Sequence, residues 1–137
     1  MKILLTNDDG YLAEGIVLLC SSLSVLGHEV YVVAPDGQRS GFSHSATIYK
    51  DIVFNKIDNY TGAKLAYSCS GSPADCVKFA ESSLNIKFDL LISGPNNGEN
   101  YGNAILYSGT VAAAEEGVLC GIKSIAVSRI GFGGSYG

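Results

Sequence analysis

Two carboxylates stand side by side in Asn7-Asp-Asp-Gly10, directly after the short apolar run Lys2-Ile-Leu-Leu5. Adjacent like charges at the rim of a buried strand raise the cost of ionising both, and a bound cation would relieve it. Hard divalent cations such as magnesium or manganese take oxygen ligands, and the Ser40 hydroxyl and the Asn96 amide oxygen can join Asp8 and Asp9 to supply four. Aspartate is also a common turn residue, so the pair by itself would equally suit a turn. A second group, Ser108-Gly109-Thr110, precedes the helix formers Val111-Ala-Ala-Ala-Glu-Glu116. At a helix N-terminus such residues either cap the helix or leave backbone N–H groups free to bind an anion. A cation site beside an anion site is the equipment of phosphate-ester hydrolysis.

Other phosphate chemistries fail on spacing. Gly10-Tyr-Leu-Ala-Glu-Gly15 has the glycine interval of a P-loop, but Ile16 and Val17 stand where Lys and Ser or Thr are needed. A covalent aspartyl phosphatase wants its acids one residue apart, and Asp8 and Asp9 are adjacent. A phosphoacceptor receiver module needs a third strand-end aspartate, for which Asp51, inside Lys50-Asp-Ile-Val-Phe54, is the nearest candidate. Of the two histidines, His28 reads as a solvated turn residue, whereas His44 shares the Ser40 loop and could contact a substrate.

Composition narrows the partners. The formal net charge is -4, and Lys and Arg are scattered singly, so neither a DNA or RNA duplex nor a membrane surface finds a basic patch. A small anionic substrate would need a cation. No apolar run approaches the roughly 20 residues of a membrane span. Cys20, Cys69, Cys76 and Cys120 form no C-x-x-C pair and follow no signal-peptide pattern, so they read as reduced thiols, mostly in the core, of a cytoplasmic protein. The chain holds 17 glycines in 137 residues, against a usual share of about 7%, concentrated in loops.

The elements that must position these residues follow from periodicity. Lys2–Leu5 and Val30–Ala34 are uninterrupted apolar runs, as in strands buried on both faces. Between them Ile16, Leu19, Cys20, Leu23 and Leu26 recur at intervals of three and four, predicting a helix from about Ala13 to Leu26 stopped by Gly27. Strand, helix, strand implies a right-handed βαβ unit and a parallel sheet. The stretch from Ala46 to Ser68 is patchier and suggests two or three less regular strands. Ser72-Pro-Ala-Asp75 predicts a capped helix to about Leu84. Strands are expected at Asp89–Ser93 and Ser124–Ser128, with a helix over 111–116 ended by Gly117 or Gly121. Nothing marks a linker or repeat, so residues 1–137 read as a single α/β domain. In such sheets ligands bind beyond the carboxyl ends of the strands, where all these polar loops emerge.

Taken in order, Asn7-Asp-Asp-Gly10, Ala34-Pro-Asp36 with Arg39-Ser-Gly41, Ser72-Pro-Ala-Asp-Cys76, Ser93-Gly-Pro-Asn96 with Asn100 and Gly102, and Tyr107-Ser-Gly-Thr-Val-Ala-Ala-Ala114 resemble the SurE family of survival proteins. The resemblance implies a three-layer α/β/α fold with a mainly parallel, Rossmann-like sheet. It implies a metal-dependent 5'/3'-nucleotidase that hydrolyses nucleoside monophosphates and, in some members, short polyphosphate. One divalent metal ion per subunit, magnesium or manganese, would be held by Asp8, Asp9, Ser40 and Asn96. Asp8, Asp9 and Asn96 would act in catalysis, and Asn96, Ser108, Gly109 and Thr110 would contact the phosphate. Pro95 departs from the aliphatic residue usual between Ser-Gly and Asn. Family members are considerably longer and form dimers or tetramers, so this sequence is expected to be the N-terminal core, with the C-terminal segment absent. The alternatives are a nucleotide-binding or receiver-like module without hydrolysis, or an inactive fragment of the hydrolase.

Overall fold

The structure, a computed structural model, describes residues 1–37, 51–97 and 104–129. The chain order is β1 (Lys2–Thr6), α1 (Glu14–Val25), β2 (Glu29–Pro35), β3 (Phe54–Lys56), β4 (Ala63–Cys69), α2 (Pro73–Ser83), β5 (Leu90–Asn97), α3 (Ala104–Leu119) and β6 (Ser124–Arg129). The strands form a six-stranded sheet ordered β3-β4-β2-β1-β5-β6. All neighbours are parallel except β3, which pairs antiparallel with β4 at one edge.

Alternation along the strands feeds two cores. Ile3, Leu5, Val30, Val32 and Ala34 face one way and bury Ile16 and Cys20 of α1. Leu4, Tyr31, Val33 and Leu91 face the other way and bury Cys76, Val77 and Ala80 of α2 and Ala113 of α3. The sheet is thus covered on both faces, giving the three layers, and this double burial is why β1 and β2 read as continuous apolar runs rather than alternating ones. Three of the four cysteines are buried as expected, Cys120 is half-buried, and all four are free thiols. Among the described residues, no helix is long and apolar enough to cross a membrane.

Most predicted elements are present. α1 is capped by Ala13 and Leu26, and Gly27, at φ +97°, turns the chain out of it. In α2 the Ser72 side chain accepts from the Asp75 N–H, and the Asp75 carboxylate accepts from the Ser72 N–H at 2.9 Å, with proline in the first turn. The patchy stretch resolves into β3 and β4; Ala46–Lys50 lie outside the described residues.

Two expectations need correction. β5 does not stop at Ser93 but continues through Gly94-Pro95 to Asn97, with its register against β6 shifting between Ser93 and Asn96. The last helix begins at Ala104, not beside Thr110, so Ser108-Gly109-Thr110 lies inside α3 rather than at its N-terminus. The apolar run Ala104-Ile-Leu-Tyr107 supplies the extra turn. Gly117 also lies inside α3, where a side chain would collide with Leu91 and Ser124.

The connections fix where a site can form. From β1 the chain passes through α1 to β2 on one side, whereas β5, on the other side of β1, leads through α3 to β6. The chain therefore reverses its direction of winding between β1 and β5, and crevices open at the carboxyl ends of strands so related. Asp8 and Asp9 follow β1; Asn96 lies near the end of β5.

Candidate functional site

The loop that carries the two acids is closed on itself. The Asn7 side-chain amide donates to the Gly10 carbonyl at 2.7 Å, and the Gly10 N–H donates back to the Asn7 amide oxygen at 3.1 Å. Asp8 and Asp9 lie between these anchors. Gly10 holds φ +113°, and an added Cβ would come within 3.3 Å of the Gly37 backbone, so only glycine suits both the turn and the approach. The Tyr11 N–H donates to the Pro35 carbonyl at 2.9 Å, and the Asp36 N–H to the Cys69 carbonyl at 2.8 Å. These contacts draw the ends of β1, β2 and β4 together. Gly15, in the first turn of α1, packs on Pro95, which brings in the end of β5.

Asp8 is the centre of the arrangement. Its side chain is 0% exposed, and neither carboxylate oxygen has a hydrogen-bond partner among the described residues. Loss of water and then the neighbouring Asp9 charge push its carboxyl up from 3.8 to about 6. A buried acid without donors is costly to the fold by itself. Asp9 is half-buried and does have interactions of its own.

The helix α3 meets this acid directly. A Cβ placed on Gly109 would sit 2.6 Å from one Asp8 oxygen and 2.9 Å from the other. Glycine in a helix ordinarily costs about 1 kcal/mol relative to alanine, so its presence marks the space the carboxylate occupies. Gly109→Ala is therefore expected to destabilise, by about 2 kcal/mol, because overpacking outweighs the gain in helix propensity. The midpoint of a urea melt measures it; a higher midpoint would show that the helix can move away.

The structure brings Asp8 against Gly109, with Asp9 and Thr110 as their chain neighbours, and it places the backbone of Asn96 near the end of β5, the strand paired with β1. For Asn96 and Ser108 the description extends to the backbone only, and Ser40 and His44 lie outside the described residues. The unpaired N–H groups of α3 belong to its first turn, so Ser108–Thr110 cannot offer them. Thr110 is fully buried. His28 sits in the turn before β2 with its Nδ1 3.1 Å from the N-terminal amino group. Asp51 is exposed just ahead of β3, at an antiparallel edge rather than a parallel strand's carboxyl end.

Sequence reasoning passed over Thr6 and Ser93, both fully buried with unpartnered hydroxyls beside Asp8's strand. The available signal was their place two residues beyond Leu4 and Leu91, where a period-two pattern carries a polar group into a core face.

These features define a doubly wound α/β protein with an acidic site at the switch between its two central strands. The family described as "Survival protein SurE" matches residues 3–133, and the chain belongs to the SurE family. It is 50% identical over 135 residues to the 5'-nucleotidase SurE of Desulfitobacterium hafniense, covering 96% of this chain and 52% of that one. It is 51% identical over 134 residues to the 5'-nucleotidase SurE of Prochlorococcus marinus (strain NATL2A), covering 96% and 51%. The crystal structure of the SurE protein from Aquifex aeolicus superposes with a TM-score of 0.82 at 42% identity, over 99% of this chain and 54% of that one. The chain spans about half the length of the relatives it matches.

Proposed function

We propose that this chain carries the catalytic site of a metal-dependent phosphomonoesterase that hydrolyses nucleoside 5'- and 3'-monophosphates, and short polyphosphate as well, to release phosphate. The observation that carries the reading is the buried Asp8 carboxylate with two unpartnered oxygens at the switch between β1 and β5. Such a group fits a cation: the charge that burial makes costly is the charge a metal needs. Its relatives' names, 5'-nucleotidase SurE, point the same way.

Asp8 and Asp9 would hold one divalent ion per subunit, magnesium or manganese, with the Ser40 hydroxyl and the Asn96 amide oxygen completing an all-oxygen set. When bound, that ion supplies Lewis acidity, polarising a phosphoryl oxygen and acidifying water. Asp9, the less buried acid, accepts the proton of the attacking water at its carboxylate. Asn96 and the Ser108 end of the Ser108-Gly109-Thr110 segment would contact the phosphate through side chains rather than helix N–H groups and stabilise charge developing on it. No covalent phosphoenzyme is needed. The protein works in the cytoplasm, its α/β domain assembling into dimers or tetramers.

A nucleotide-binding module without turnover is the second reading. A receiver-like role is disfavoured by the position of Asp51. Phosphate release from a panel of nucleoside monophosphates, with and without manganese and beside a full-length relative, separates these. Manganese-stimulated release supports hydrolysis; nucleotide binding without release supports the second reading.

A further inference from the structure

Thr6 of β1 pairs with Ser93 of β5 in parallel register, so their side chains emerge on the same face of the sheet. Two residues earlier, Leu4 and Leu91 belong to the core that faces α2 and α3. Thr6 and Ser93 therefore face that layer too. From the opposite side α3 contributes Thr110, three residues before Ala113 of the same core and hence on the same helix face.

All three residues are 0% exposed, and the hydroxyl oxygens of all three lack hydrogen-bond partners among the described residues, as do both oxygens of Asp8. The buried Cys76 thiol beside Thr6 is a weak partner. Asp8 stands two residues beyond Thr6, and Gly109, next to Thr110, touches its carboxylate. Three rotatable donors thus stand on the side of the sheet where α3 meets an acceptor that has none. Left unused, each such hydroxyl would be better replaced by a methyl group of the same shape.

We propose that Thr6 and Ser93, with Thr110 opposite, are positioning residues: their hydroxyls donate through buried water to the Asp8 carboxylate and fix the direction in which it meets a cation. One buried water typically makes about three hydrogen bonds to groups of this kind. Partners that hydrogen-bond a metal-ligating carboxylate orient it, and removing one weakens metal affinity about 10- to 100-fold. The inference rests on the metal-dependent reading above and adds Thr6 and Ser93, which neither the metal set nor the phosphate set includes.

The test measures manganese binding by calorimetry, without nucleotide, on the unsubstituted chain and on Thr6→Val, Thr6→Ser and Ser93→Ala, together with melting midpoints in EDTA. Thr6→Val is expected to weaken manganese binding about tenfold while its midpoint in EDTA holds or rises, and Thr6→Ser is expected to restore affinity to within about threefold. Ser93→Ala should behave as Thr6→Val does. Unchanged affinity in Thr6→Val would overturn the proposal, as would a Thr6→Ser variant as weak as Thr6→Val, since shape rather than the hydroxyl would then matter. A Thr6→Val midpoint that drops in EDTA would assign the residue to the fold alone and overturn it equally. If the unsubstituted chain binds no manganese, the metal reading itself fails, and with it the function given to these hydroxyls.

Discussion

Asp8→Asn is expected to make the metal-free protein more stable while removing its capacity to bind a divalent ion. The folded chain holds the Asp8 carboxyl at about 6 against 3.8 for an exposed acid, chiefly through burial. A raised acid pKa means that the folded state binds the proton more tightly than the unfolded state. Stability from this group is thus greatest below about pH 4, falls as pH rises to 6, and stays reduced above it. At about 1.4 kcal/mol per pKa unit the full penalty is roughly 3 kcal/mol. The neutral amide escapes the charge penalty but buries polar atoms of its own, so a gain of about 2 kcal/mol at pH 7.5 is expected, with a midpoint about 7 °C higher. At pH 4, where the native carboxyl is already protonated, the gain should vanish. Thermal melts in EDTA at the two pH values check both statements. An Asp8→Asn chain that is less stable at pH 7.5 would mean that the carboxylate has partners supporting the fold. A site that weakens the protein carrying it is a familiar signature of function, since binding recovers what folding gives up.

The second large effect is on turnover. Asp9 stands next to Asp8 in the closed Asn7–Gly10 turn but is only half-buried, which leaves it open to water. Asp9→Asn keeps the shape and removes the negative charge and the proton acceptor together. Manganese-stimulated phosphate release from nucleoside monophosphates is expected to fall at least a hundredfold, on the order of what positioned proton transfer and metal activation contribute. The far-ultraviolet circular dichroism should not change. Turnover within a fewfold of the unsubstituted chain would remove Asp9 from the chemistry.

Much of this was legible from residues alone, and the exceptions have physical causes. Doubly buried strands announce themselves as apolar runs, so β1 and β2 were readable, and the Ser72/Asp75 capping box marked α2 to within a residue. The acid pair was legible because adjacent carboxylates at the end of such a strand repel each other, which a turn does not require and a cation relieves. The start of α3 was not, because Ser-Gly-Thr is the usual signature of a cap, and glycine inside a helix reads as a break. What overrides that preference is a tertiary contact: the Asp8 carboxylate occupies the place where a side chain would be. β5 runs past its expected end because Gly94-Pro95 looks like a stop, while the neighbouring β6 continues to pair beyond it. Thr6 and Ser93 were invisible for the opposite reason. A threonine in a strand is an ordinary choice, and only the fold shows that its hydroxyl is buried with no partner better than a thiol.

The central claim is that a single divalent cation is clasped by Asp8 where β1 and β5 part. Manganese titrated calorimetrically into the metal-free chain should bind at one ion per chain, and the binding should disappear in Asp8→Asn while that variant remains folded. Manganese uptake that survives Asp8→Asn unchanged would place the ion elsewhere and contradict the claim.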